Sequence, residues 1–345
     1  MKIAIDLQGL QSEASRTRGI GRYSYEVIRH VLSINSNDNF ILFANGALDD
    51  LRYLFKEELE KDSISYFEWF APCPLDYISK KQHRYEIGLL LRSYAIELLN
   101  VDILIISSFL EGYSNNCLTE VDFDICHAKV ISIFYDLIPL LNPELYLDSN
   151  PIFSNFYKNK ILGLKKFDAL LAISKSSADE VIKYLDIDER KVFNISSACD
   201  KNIFNSKQDD TDKRNTNTFK LSSYILYTGA QDPRKNLYNL LKAYSLLPSN
   251  MKQKYKLVLA GKIISKEEEL LDKWEKELSF DKNQLVKLGY VSDQELVELY
   301  KDCALFVFPS LHEGFGLPVL EAMSCGAPVI GSNLTSIPEV IGNKK

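Results

Sequence analysis

Short apolar runs of strand length alternate with stretches of helical periodicity along this chain, in two series separated by a segment without apolar anchors. The first series holds the runs 2–7, 39–44, 101–106, 130–135 and 169–173. Between the first two, Tyr23, Val27, Ile28, Val31 and Leu32 recur at the spacing of one helix face across 22–32. From Asn205 the sequence turns polar (Asn-Ser-Lys-Gln-Asp-Asp-Thr-Asp-Lys-Arg-Asn-Thr-Asn217), and the alternation restarts with 224–228, 256–260, 285–290, 305–309 and 328–330. Runs this apolar suit strands buried on both faces, and successive buried strands lie parallel only with a crossover between them. The pattern predicts two doubly wound parallel-sheet α/β domains, 1–204 and 219–345, joined by a linker at 205–218. A length of 345 residues agrees, being long for a single hydrophobic core.

Composition narrows the function classes. Hydrophobic residues make up 46% and charged residues 26%, ordinary values for a soluble globular protein, and the net charge of −6 argues against a nucleic-acid partner. The six cysteines (Cys73, Cys117, Cys126, Cys199, Cys303 and Cys325) show neither Cys-x-x-Cys nor Cys/His metal spacing and read as reduced, packed thiols. The start Met1-Lys-Ile-Ala-Ile-Asp-Leu7 reads as a strand rather than a signal peptide, and apolar runs such as 101–106 are too short to span a bilayer. A cytoplasmic location is the expectation.

The most specific segment is Pro309-Ser-Leu-His-Glu-Gly-Phe-Gly-Leu-Pro-Val-Leu-Glu-Ala-Met-Ser-Cys-Gly-Ala-Pro-Val-Ile-Gly331. An apolar strand at 304–308 leads into a Gly-rich turn, and Pro318 suits the first helical position, where its missing N–H costs nothing. Strand, loop and helix start together make an anion seat. Loop amides and the positive helix end favour phosphate oxygens, while Gly314 and Gly316 let the backbone approach a ligand closely. The flanking carboxylates, Glu313 and Glu321, would repel phosphate and are better used as acceptors for hydroxyl-rich groups such as a ribose or hexose. The combination describes a nucleotide-sugar site.

In this setting the Glu-x7-Glu spacing resembles the signature of the retaining GT-B glycosyltransferases of family 4. Two glutamates at that spacing mean little alone, but the dozen residues 312–323 are specific. The resemblance implies the GT-B fold, two Rossmann-like domains facing a cleft at the carboxyl ends of their strands. It places Glu313 on donor-sugar hydroxyls, Glu321 on the ribose, and the amides of Gly314, Phe315, Gly316 and Leu317 on sugar and phosphate. Tyr227-Thr-Gly-Ala-Gln-Asp-Pro-Arg-Lys-Asn236 is similar to the family's Gly-containing turn followed by Arg and Lys. There Gly229 belongs to the donor site, Lys235 is expected to neutralise the diphosphate as charge builds on it, and Arg234 either assists or forms a structural ion pair. After the first strand, Asp6-Leu-Gln-Gly-Leu-Gln-Ser12 and Arg18-Gly-Ile-Gly-Arg-Tyr23 occupy the position of the family's Gly-rich turn. Gly19, Gly21, Arg18 and Arg22 face an anion on one reading and form a plain helix entry on the other. Ser107-Ser-Phe-Leu-Glu-Gly112 resembles a segment of bacterial polysaccharide mannosyltransferases and places Glu111 on the acceptor side. Ser174 reads as a helix N-cap.

Two departures concern chemistry. Ala230 stands where many members carry an Arg, and Phe134-Tyr-Asp-Leu-Ile-Pro139 replaces a His-Asp pair. Tyr135 keeps a phenol that can donate to a sugar hydroxyl, whereas Asp136 either orients a loop or the acceptor, or caps the turn before Pro139. No side chain pairs as base and nucleophile, in keeping with a front-side mechanism in which the leaving diphosphate helps take the acceptor proton. No metal or cofactor is expected, and Asp122/Asp124 and Asp186/Asp188 are poorly placed for one. The expected reaction moves a hexose, by similarity mannose from GDP-mannose, to a growing cell-surface polysaccharide or lipid-linked glycan. A non-catalytic nucleotide-sugar-binding remnant or partner subunit is the alternative, because family members continue past the point where this sequence stops and the second domain is expected to be incomplete. Lys80, Lys81 and Arg84, with Lys158, Lys160, Lys165 and Lys166, are either solvated helix faces or a surface for the anionic inner membrane leaflet.

Overall fold

The computed structural model describes all residues except 17–18, 35–36, 80, 207–220, 222, 230–231, 262–264 and 343–345. The chain divides into two compact units, Met1–Ser196 and Ser197–Lys345.

The first unit is built on seven parallel strands: β1 (Lys2–Asp6), β2 (Asn39–Asn45), β3 (Ile64–Trp69), β4 (Ile103–Ile106), β5 (Lys129–Phe134), β6 (Ala169–Ala172) and β7 (Val192–Asn194), in the order β3-β2-β1-β4-β5-β6-β7. Side chains alternate faces along a strand, so each central strand feeds two cores. Ala4, Phe43, Leu104 and Ile106 pack with Ala95 and Ile96 of the helix Gln82–Leu99 and with Phe156 and Ile161 of the helix Pro151–Gly163. Ile3, Ile5, Phe40 and Leu42 pack on the other face with Ile28 and Leu32 of the helix Gly19–Ser33. The continuous apolar runs seen in the sequence follow from this two-sided burial.

The second unit repeats the plan with five parallel strands: β8 (Tyr224–Thr228), β9 (Lys256–Ala260), β10 (Leu285–Gly289), β11 (Leu305–Phe308) and β12 (Val329–Gly331), ordered β10-β9-β8-β11-β12. Leu226, Val258, Phe306 and Phe308 line one core, and Tyr227, Leu257 and Leu259 the other. The units divide at Ser196/Ser197 rather than at the expected residue 204, because Phe204 is fully buried in the second unit's core, its ring 6.4 Å from that of Tyr300. Most of the expected linker, 207–218, lies outside the described residues.

In each sheet the chain winds outward from one strand, then returns to that strand's other side and continues in the opposite direction. The reversal falls between β1 and β4 in the first unit and between β8 and β11 in the second. Loops leaving neighbouring strands at such a point diverge to opposite faces and open a crevice at the carboxyl ends, where α/β folds bind ligands.

Candidate active site

The second unit's crevice is formed by the loops after β8 and β11. Gly229 ends β8 with φ +144°, its N–H donating to Ala260 O at 3.0 Å. Gly261 ends β9 with φ +149°, and a Cβ there would lie 2.4 Å from Gly229 O, so two backbones touch at a point only glycine allows. The β8 loop then makes one turn of 3-10 helix, Pro233–Lys235, which Asp232 caps by accepting the Arg234 N–H at 3.0 Å. Asn236 follows in the left-handed region at φ +60°. Ala230, the departure from the family pattern, lies outside the described residues.

Three hydrogen bonds stitch this turn to the β11 loop. Leu311 N–H donates to Arg234 O at 2.7 Å, Arg234 Nη1 to His312 O at 2.9 Å, and Asn236 Nδ2 to Pro309 O at 3.1 Å. Their result is a charge cluster. Glu313 is 8% exposed, with Oε1 2.6 Å from Lys235 Nζ and Oε2 2.9 Å from Arg234 Nη1. Burial works to raise the Glu313 pKa, but the charges of Lys235 and Arg234 outweigh it and hold the carboxyl below its ordinary value. Lys235 is itself held below the ordinary lysine value, chiefly by burial; Glu313 opposes this shift and Arg234 adds to it. Its ammonium sits 4.9 Å from the centre of the Phe308 ring. Arg234 and Lys235 are thus both ion-paired with Glu313.

The helix Leu317–Ser324 begins one residue before the expected Pro318, which occupies its first turn. Gly316 caps it at φ +105°. Phe315 is buried. Glu321, 6% exposed, lies within the helix with Oε2 3.5 Å from the Tyr300 hydroxyl, which is 3.4 Å from Thr228 Oγ1 at the end of β8. His312 is buried. Cys325 is a packed thiol, its pKa pushed up to about 11 by burial. The second unit thus brings together Glu313, Arg234, Lys235, Gly229 and the 314–317 loop, with Glu321 on the helix that follows. Sequence reading missed Asn236, Thr228 and Tyr300, whose contributions are turn geometry and packing.

The first unit's crevice holds Glu111. Its Oε1 accepts from Ser15 Oγ at 2.5 Å and Ser108 Oγ at 3.1 Å, and Asn115 Nδ2 reaches Oε2 at 3.5 Å. Glu111 also lines a cavity of about 750 Å³ with Tyr77, Tyr85, Asn155 and Lys160. Gly19 and Gly21 lie in the first turn of the helix Gly19–Ser33, not in a turn ahead of it. A Cβ at Gly21 would lie 2.5 Å from Ser15 O, so this glycine serves the close entry of the helix. Arg22 is half-buried, and Arg18 lies outside the described residues. Tyr135 directs its hydroxyl inward, 2.7 Å from Ser24 Oγ and 3.1 Å from Ser107 O, and burial raises its pKa far above the ordinary value. Asp136 accepts the Ile138 N–H at 3.0 Å, so of its two readings the turn cap is realised.

Other candidates prove to have local duties. Asp122 and Asp188 accept the N–H groups of Asp124 and Arg190 in turns, Asp186 is a left-handed helix cap, and Ser174 is an N-cap accepting the Ser177 N–H at 2.9 Å. Lys160 leaves the proposed basic surface: it is buried, pairs with Glu120 at 2.7 Å, and donates to Phe109 O and Thr119 Oγ1. Lys80 lies outside the described residues, while Lys81, Lys158, Lys165 and Lys166 are exposed. The helix Gln82–Leu99 turns Ile87, Leu90, Leu91, Tyr94 and Leu98 outward, an apolar rather than a cationic stripe. Among the described residues no helix is long and apolar enough to cross a membrane.

Comparison with known proteins agrees with this geometry. Residues 208–345, which contain the whole charge cluster, match the family model for glycosyl transferases group 1. That stretch carries the likeness to the family. The chain as a whole resembles the serotype-specific mannosyltransferase WbdA of Escherichia coli, with 38% identity over 349 residues covering 99% of this chain and 41% of that protein. The O-antigen chain mannosyltransferase B of Escherichia coli is 34% identical over 217 residues, covering 62% of this chain and 56% of that protein. The chain therefore spans less than two thirds of the length of these relatives. Among solved structures, Anabaena Alr3699/HepE in complex with UDP and glucose superposes with a TM-score of 0.64 at 18% identity, covering 98% of this chain and 82% of that one. Its likeness, with the two parallel sheets, shows the GT-B fold.

Proposed function

We propose that this glycosyltransferase moves mannose from GDP-mannose to a growing O-antigen-type polysaccharide or lipid-linked glycan, with retention of configuration and without a metal. The observation that carries the reading is Glu313 held between Lys235 and Arg234 at the reversal point of the second sheet. A nucleotide-diphosphate sugar needs a cation at the phosphates and an acceptor for the sugar hydroxyls, and this cluster supplies both. The mannosyl and O-antigen assignments rest on the names of the two Escherichia coli relatives.

In this reading the bond between the anomeric carbon and the β-phosphate oxygen breaks as the acceptor oxygen bonds to the same face of that carbon. The acceptor proton passes to a phosphate oxygen, and nucleoside diphosphate leaves. Lys235 and Arg234 stabilise the charge that builds on the diphosphate, Glu313 orients the sugar, and Glu321 accepts from the ribose. Fixed charges withdrawn from water need no reorganisation at the moment of reaction and act through a lower dielectric.

Calorimetric titration of the chain with GDP-mannose, UDP-glucose and UDP-N-acetylglucosamine in EDTA tests the donor site. GDP-mannose should bind, and Glu321→Ala should weaken it at least about tenfold, the effect of leaving a ribose hydroxyl without its charged acceptor. Preference for a UDP donor would overturn the mannosyl assignment, and equal binding by the variant would remove Glu321 from the site.

A further inference from the structure

The Glu313 loop is held from behind by a segment that the donor-site reading does not use. Between β12 and the helix Ile337–Ile341, Thr335 stands in the left-handed region at φ +48°. A β-branched side chain pays a steric cost there, and such strain persists only where the surroundings impose it. The Glu313 N–H donates to Thr335 Oγ1 at 3.1 Å. Ser336, fully buried, directs its Oγ at two carbonyls, Glu313 O at 2.9 Å and Phe315 O at 2.7 Å. Ile337 anchors the pair: it is fully buried, and a Cβ on either Gly316 or Gly331 would lie 2.6 Å from it.

Peptide geometry gives these contacts a direction. In a trans peptide unit the C=O of one residue and the N–H of the next point opposite ways. With the carbonyls of Glu313 and Phe315 turned toward Ser336, the N–H groups of Gly314 and Gly316 point away from it. Thr335, bonded to the Glu313 N–H, fixes the start of the same loop.

We propose that Thr335 and Ser336 are positioning residues for the donor, clasping the backbone of residues 313–315 so that the Gly314 and Gly316 amides and the Glu313 carboxylate keep their aim at a nucleotide-sugar. The assignment rests on the donor-site reading given under Proposed function. Neither residue touches the donor; both act through the loop.

Titration with GDP-mannose in EDTA, paired with thermal unfolding, tests the clasp. Ser336→Ala and Thr335→Val should each raise the donor dissociation constant about tenfold, since each removes a buried hydrogen bond that sets the loop. Thr335→Ser, which keeps the hydroxyl, should stay close to wild type. Ser332→Ala is the structural control, because Ser332 Oγ donates to Ser310 O across the same seam, outside residues 313–316. It should lower the melting temperature without a matching loss of donor affinity. Unchanged affinity in both Ser336→Ala and Thr335→Val, or an equal loss in Ser332→Ala, would overturn the clasp and leave the donor site standing. Failure of the wild-type chain to bind would overturn both readings.

Discussion

Replacing Lys235 with alanine should lower the rate of sugar transfer by about 10² to 10³-fold, the loss typical of removing one preorganised group that meets developing charge. The ammonium is the side chain best placed for the diphosphate: it is largely withdrawn from water, 2.6 Å from Glu313 Oε1 and 4.9 Å from the centre of the Phe308 ring. Its removal also releases one side of the grip on Glu313, leaving Arg234 at 2.9 Å as the remaining pair in the cluster. The turnover number should therefore fall more than the donor KM rises. Lys235→Arg should recover little, because a planar fork differs in shape and hydration from a compact ammonium. The pH dependence has a definite sign. The folded pKa of Glu313 lies below its ordinary value of 4.5, so its carboxylate stays charged at neutral pH and is neutralised only as the pH falls through that lowered value. Steady-state rates across pH should show no Glu313-dependent decline above about pH 4.5. A variant retaining more than about a third of wild-type turnover would contradict the role given to Lys235.

Arg92→Ala should destabilise the first unit by about 3–5 kcal/mol, the cost of leaving a buried charge without its partner. Arg92 and Asp6 are both fully buried, with Nη1 2.5 Å from Asp6 Oδ2. The Nη1 contact is one of charge with charge, and the aligned hydrogen bond is made instead by Nε to Glu120 O at 3.0 Å. The guanidinium also lies 5.3 Å from the Phe43 ring and 5.6 Å from that of Trp69. Asp6 in turn accepts the Gln8 N–H at 2.8 Å at the start of the β1 loop, so losing Arg92 strands a carboxylate in the crevice that holds Glu111. The two tryptophans of the chain, Trp69 and Trp274, lie in different units, which makes the measurement clean. In a Trp274→Phe background, urea unfolding followed by Trp69 fluorescence reports the first unit alone. Asp6→Asn combined with Arg92→Met should recover a large part of the loss, because no unpaired charge remains. A change below about 1 kcal/mol in Arg92→Ala would show that the pair is not a structural keystone.

The sequence was most legible where burial is two-sided. β1, β2, β4, β5 and β6 of the first unit and all five strands of the second appeared as apolar runs, the central ones because each packs on both faces, the edges β10 and β12 by composition although they are only partly covered. The strands that escaped notice, β3 and β7, are the two edges of the seven-stranded sheet. In Ile64–Trp69 apolar and polar residues mix, and Val192–Asn194 is three residues long with Phe193 exposed, so neither resembles a buried run. At the candidate site, the strand–loop–helix segment carrying Glu313 and Glu321 declared itself through its glycines and proline. The partnership of Glu313 with Lys235 and Arg234 did not, because it joins groups 78 and 79 residues apart through backbone bonds between two loops. Lys160 was misread for a related reason. Charge in a sequence implies solvent by default, and only the fold reveals Glu120, Thr119 and Phe109 O gathered around a buried ammonium. Tyr135 bonds to Ser24 and Ser107, and Asp136 makes the turn cap that its position before Pro139 suggested.

Proton NMR of the product formed from GDP-mannose and a mannose-terminated oligosaccharide in the presence of EDTA tests both retention and independence from metal. Transfer should occur without added metal and give a new linkage whose anomeric configuration is that of the donor. An inverted linkage, or transfer that appears only when a divalent cation is restored, would contradict the proposed reaction.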